Sequence, residues 1–168
     1  MSSSSPADWL ERLSVFIGRT VAWGVAAMTA VMFLVVVLRY FLGMGSIALQ
    51  ESVIYFHSLV FMLGLAWTLA DDQHVRVDIL YQRWSERTRA WIDLAGVLLL
   101  LLPVCVVIIA TSIPYVADSW QVSETSREAG GLPFIYLLKT LIPVAGTLLA
   151  LQGVAMGLRA LVIIRGRV

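Results

Sequence analysis

Charged residues divide this chain into long apolar stretches. Nineteen uncharged residues separate Arg19 from Arg39, nineteen separate Glu51 from Asp71, twenty-four separate Asp93 from Asp118, and nineteen separate Lys139 from Arg159. A helix rises about 1.5 Å per residue, so about 20 residues cross a hydrocarbon core of about 30 Å. Each gap predicts one crossing, placed at residues 18–38, 49–70, 93–117 and 133–158. Runs such as Leu98 to Leu102 lack the alternation of barrel strands, so helices must satisfy the backbone in lipid. The expected fold class is an all-α membrane protein with four transmembrane helices, forming a single domain over residues 1–168.

The ends and connections add detail. Ser5, Pro6 and Asp8 read as a helix start, and Trp9, Leu10, Leu13, Phe16 and Ile17 then recur at helical spacing. The apolar stretch that follows exceeds the roughly 7–15 residues of a secretory signal, and Asp8 and Glu11 precede it, so the segment is expected to be retained. Between the second and third crossings, Val77, Leu80, Tyr81, Trp84, Trp91 and Ile92 fall largely on one helical face. Arg76, Arg83, Glu86, Arg87 and Arg89 lie mostly elsewhere. This predicts an amphipathic helix over residues 76–91, with Arg76, Arg83, Trp84, Arg87, Arg89 and Trp91 at the lipid interface; a solvated loop is the alternative.

Arg12, Arg19, Arg76, Arg83, Arg87, Arg89, Arg159, Arg165 and Arg167 fall on one side of this layout, against Arg39, Arg127 and Lys139 on or near the other. Basic flanks stay cytoplasmic, so both termini are expected inside. Composition supports the membrane reading: 60% of the 168 residues are apolar and only 14% are charged, with a mean hydropathy of +0.87. Too few charged side chains exist to cover a soluble domain of this size. A net charge of +1 excludes a polybasic nucleic-acid binder. The lone Cys105 permits no intrachain disulfide and no cysteine-based metal site, and no cofactor is expected in this chain.

Arg39 closes the first crossing and Glu51 opens the second, so a structural ion pair between them fits the layout. Lys139 lies about six residues into the fourth crossing and is expected to snorkel or to meet an acid such as Asp118 or Glu124. No crossing carries an acid or base at its centre, unlike an ion-driven carrier. His57 and His74 lie at different depths and cannot share a haem, so His57 reads as a hydrogen-bonded residue between helices. Pro103 and Pro143 are sites for kinks. Gly146, Ala150, Gly153 and Gly157 form a small-residue stripe on the fourth crossing, with a weaker one at Ala22, Ala26 and Ala30 on the first. Such faces admit another backbone closely, within the chain or on a partner. Nucleophile, phosphate-loop, dinucleotide and metalloprotease motifs are missing, so an enzyme is not expected.

Several local sequences carry a resemblance in their order and spacing. They are Arg39-Tyr40-Phe41-Leu42-Gly43, Glu51, the segment Gly64 to Trp67, His74-Val75-Arg76-Val77-Asp78, and Leu132-Pro133 with Pro143. Together the chain resembles the small permease (DctQ-like) subunit of the TRAP, tripartite ATP-independent periplasmic, transporters over about residues 18–160. The resemblance implies a scaffold for a large permease subunit, which takes up an organic acid with sodium after a periplasmic substrate-binding protein captures it. It also implies a bacterial inner-membrane location and outer loops that face the binding protein, with Glu124, Arg127 and Glu128 as contact residues. Expected partners are the large subunit, the binding protein and membrane lipid, with an interfacial phospholipid as an option. Two alternatives stay open: an autonomous proton-coupled drug antiporter using Glu51, and a membrane anchor of a respiratory complex.

Overall fold

The computed structural model describes residues 6–71 and 84–166. Four of its helices are long and apolar enough to cross a membrane. We name them α1 (Pro6–Phe41), α2 (Ile47–Ala70), α3 (Glu86–Gln121) and α4 (Ile135–Ile164). α1, α2 and α3 each cover one expected crossing and α4 covers the fourth from its third residue onward, while α1, α3 and α4 also run well past the expected ends. At α1 and α3 the extra turns carry charged residues and continue the helix outside the uncharged stretch that located the crossing, and at α4 they are Arg159 followed by five apolar residues.

Local chemistry fixes the helix ends. Gly43 adopts a left-handed φ of +64°, which turns the chain so that the Met44 N–H reaches the Leu38 carbonyl at 2.9 Å and stops α1. Three residues later the Ser46 hydroxyl caps α2 by accepting from the Leu49 N–H at 3.4 Å. Ser85 does the same for α3 through the Thr88 N–H at 3.3 Å, with Glu86 in the first turn. Within α3, residues Val97–Leu101 form a π-helical turn. Pro103 explains it, because proline cannot donate to the carbonyl four residues back and a wider turn relieves the clash of its ring. Thr20, Thr29, Thr111 and Thr147 donate their hydroxyls to carbonyls in their own helices, which keeps these groups paired in lipid.

The described part of the segment expected to lie flat is instead the start of α3. Residues 86–91 continue without a break into the crossing, and Arg76 and Arg83 lie outside the described residues. The face that packs there is not the aromatic one. Ala90 and Leu94 are buried against Ala160 of α4, while Trp91 on the other face is 55% exposed. Trp84 precedes the helix, and its carbonyl accepts from Arg89 Nε at 3.0 Å; Arg87 is exposed in the first turn.

Helix α4 is the hub. It packs against α1, α2 and α3, whereas α1 pairs chiefly with α2. The glycines of its small-residue stripe face α3, the within-chain alternative of the sequence reading. A Cβ added at Gly146 would stand 3.1 Å from Ile109, and one at Gly153 would stand 2.6 Å from Leu101. At Gly157 the nearest neighbours, Val97 and Leu94, would be 3.6 and 3.7 Å away. Ala150 is half-buried on the same helix. The α1–α2 seam uses two glycines that the sequence reading passed over: a Cβ at Gly18 would lie 2.5 Å from Trp67 Cγ, and one at Gly24 would lie 2.7 Å from Val60. Ala22 is half-buried, but Ala26 and Ala30 face outward.

Candidate functional site

At the loop end of the bundle, opposite the termini, α2, α3, α4 and the segment between α3 and α4 meet in one polar cluster. Glu51 sits in the second turn of α2 and spends both carboxylate oxygens on that segment. Oε1 accepts from the Ser126 hydroxyl, and Oε2 accepts from the Leu132 N–H at 2.6 Å. Gly131 permits the approach, since a Cβ there would fall 2.8 Å from Glu51 Oε1 and closer still to Ser126. The turn is tied further by the Ser126 N–H on the Leu132 carbonyl at 3.1 Å and the Gly131 N–H on the Glu128 carbonyl at 3.0 Å. Ser123 and Gly130, with φ of 46° and 82°, reverse the chain on either side.

Arg39 is not the partner of Glu51. Its side chain is exposed, and the expected ion pair gives way to neutral donors that lie closer to the carboxylate. Lys139 does meet one of its expected acids. Its Nζ donates to Glu124 and stands 4.0 Å from the centre of the Tyr115 ring. Glu124 also accepts from the Ser119 hydroxyl at 2.7 Å, and Asp118 faces away and is exposed. Beside this pair, Trp120 Nε1 donates to the Thr140 hydroxyl at 2.9 Å, and its ring stands edge-on to Tyr136 at 4.6 Å. Thus the last turn of α3, the loop and the first turns of α4 are latched as one unit.

This division changes the roles of the three loop charges. Glu124 is turned inward onto Lys139, whereas Arg127 and Glu128 are exposed. The Lys139 ammonium, and next the Ser119 hydroxyl, hold the Glu124 carboxyl below the ordinary carboxylate range. A depressed folded value means that the contribution is present above that range and is lost as pH falls through the folded value. The loop is therefore expected to loosen in acid. Hydrogen exchange across residues 122–134, corrected for the intrinsic slowing of amide exchange in acid, checks this: protection should fall at low pH in the native chain and fall less in Glu124→Gln.

The terminal end is held by a second cluster. Arg159 of α4 pairs with Asp8 at 3.4 Å and with Glu11, both in the first turns of α1. The sequence offered Arg159 only as an orientation signal, because its acids lie about 150 residues earlier. Two further polar residues within the crossings stand outside both clusters. His57 is exposed and stacks on Phe61 at 6.2 Å, rather than bonding between helices. Gln152 is 4% exposed in α4, and its Oε1 has no partner among the described residues. Cys105 is fully buried.

The arrangement is structural chemistry: carboxylates saturated by donors, a cation compensated, and aromatic rings pinning helix ends. The family model "Tripartite ATP-independent periplasmic transporters, DctQ component" matches residues 28–162. No curated protein and no solved structure shows a significant match to the chain. The matched region contains the whole loop-end cluster, all of α2 and α3, nearly all of α4 and the last 14 residues of α1. With four helices long and apolar enough to cross a membrane, the chain is a multi-pass membrane protein and a transporter component. It belongs to the DctQ family, the small permease component of the TRAP transporters.

Proposed function

We propose that this chain is the scaffold of a TRAP transporter in a bacterial inner membrane, with both termini in the cytoplasm. On this reading the large permease subunit, supplied by a periplasmic substrate-binding protein, carries an organic acid inward with sodium, and the present chain enlarges the fixed part of the assembly. Family membership supports the complex. The excess of arginines on the terminal side supports the orientation. The exposed pair Arg127 and Glu128 supports a contact with the binding protein at the loop end.

The observation that carries the scaffold role is the outer face of α1 and α2. No residue from Arg19 to Phe41 is buried within the chain. Ala26 and Ala30 point outward one turn apart, where lipid gains little from them but a neighbouring helix gains close approach. Along the edge facing α2, Met28, Thr29, Met32, Phe33, Val36 and Val53 line a groove of about 400 Å³. The exposed His57 imidazole adds a polar group at a depth where hydrocarbon offers it nothing. An antiporter built on Glu51 is not favoured, because that carboxylate is committed to Ser126 and Leu132.

A photocrosslinking residue at position 30 or 57 tests the docking face in membranes that contain all three proteins. Capture of the large permease from both positions, and none from buried position 105, is the expected result. Capture of lipid alone from positions 30 and 57 would show that this face is not the docking surface.

A further inference from the structure

At the terminal end, α1 and the last turns of α4 border an open groove of about 720 Å³ whose walls include Asp8 and Glu11 beside Arg12, Phe16, Arg19, Trp23 and Arg159. We propose that this groove binds one anionic phospholipid, with its phosphate on Arg12 and Arg19 and the start of its acyl chains on Phe16 and Trp23. The charge arrangement is the first argument. Arg159 is compensated by Asp8 and Glu11. Arg12 and Arg19 are exposed, and among the described residues neither guanidinium takes part in an ion pair or hydrogen bond. They stand two turns apart on one face of α1, so the groove presents two uncompensated cations along a single wall.

Depth is the second argument. Arg19 is the last charge before the uncharged run to Arg39, so it marks the edge of the hydrocarbon. Helical side chains lean toward the N-terminus, which brings its guanidinium outward to phosphate level. Trp23 lies one turn deeper and is 78% exposed, and Phe16 between the arginines is 70% exposed. Arginine donors interleaved with aromatic surface that continues one turn deeper at Trp23 match a diacyl phospholipid, whereas a free phosphate would leave the rings bare. A transmembrane helix of another protein would have to bring carboxylates to this depth to satisfy the same arginines.

The test titrates the full chain in mild detergent with phosphatidylglycerol or phosphatidylcholine of matched acyl chains and reads bound lipid by native mass spectrometry. Wild type should retain one phosphatidylglycerol in preference to phosphatidylcholine, and soluble glycerol phosphate should not displace it. Arg12→Gln with Arg19→Gln should lower retention about tenfold, while Arg165→Gln, outside the groove, should leave it unchanged. Equal retention of the two lipids, or of phosphatidylglycerol by wild type and the double variant, would overturn the proposal. If the double variant does not fold, Trp23→Phe provides the same decision. Acyl-brominated phosphatidylglycerol should quench wild-type fluorescence more than that of Trp23→Phe, and equal quenching would overturn the assignment. A photocrosslinker at position 16 that captures protein instead of lipid in the assembled complex would overturn it as well.

Discussion

Replacing Gly153 with leucine is expected to force α3 away from α4 and to lower the stability of the chain by about 1–3 kcal/mol. Even the first added carbon would stand 2.6 Å from Leu101 Cδ2. Leu101 could swing its Cδ2 aside for that one carbon, since its Cγ would stand 3.4 Å away. The three remaining carbons of the leucine would deepen the overlap. Gly157 supplies the contrast on the same face. Its added Cβ would meet Val97 and Leu94 at ordinary contact distances of 3.6 and 3.7 Å, and alanine is the better helix former. Gly157→Ala should therefore unfold no earlier than wild type in a detergent or denaturant titration, while Gly153→Leu unfolds much earlier. Equal midpoints for Gly153→Leu and wild type would show that close approach at this glycine does not hold the seam.

Opening the latch at the other end is expected to have the next largest effect. Gly131→Val places a branched side chain where Ser126 and the Glu51 carboxylate already stand, an overlap in the range of about 1–3 kcal/mol. Glu51→Ala attacks the same contact from the opposite side by removing the acceptor for Ser126 and for the Leu132 N–H. A half-buried amide then loses its partner. Either change should free the segment between α3 and α4 while leaving the α3–α4 seam intact. Hydrogen exchange would register this as faster exchange confined to residues 122–134. Because both substitutions release one latch, their effects should not add: the double variant should exchange little faster than the worse single variant. Additive effects would mean that Glu51 and Gly131 act separately.

The fold was legible where the signal is a simple count of residues. Uncharged gaps of nineteen or more residues locate four crossings, because the bilayer sets a minimum length that no local accident supplies four times. Helix ends were less legible. Capping by Ser46 and Ser85 and the polar turns after Ser85 lie outside hydrocarbon, so hydropathy does not report them. Near Trp91 the aromatic face read from the sequence stays exposed, and the helix packs on Ala160 through Ala90 and Leu94 instead, two small or aliphatic residues that the aromatic pattern did not include.

The polar site was legible only where partners are near in sequence. Lys139 and Glu124 are fifteen residues apart on either side of one loop, so their pairing could be listed in advance. Glu51 reaches forward 75 residues to Ser126 and 81 to Leu132, and nothing local distinguishes these donors from the nearer Arg39. Gly130-Gly131 just before Pro133 was the available hint of a tight turn. The small-residue stripe raised a different difficulty. Periodicity identifies a face that admits a close neighbour, but it does not say whether that neighbour is α3 of the same chain or a helix of a partner. Gly153 took the first course, and the outward Ala26 and Ala30 remain for the second.

Uptake of an organic acid by proteoliposomes, driven by an imposed sodium gradient, tests the central claim most directly. Vesicles that hold this chain alone should accumulate nothing above protein-free vesicles, and adding the cognate large permease and binding protein should produce sodium-dependent uptake. Accumulation by the lone chain would contradict the account, because the helices described here would then contain a pathway as well as a support.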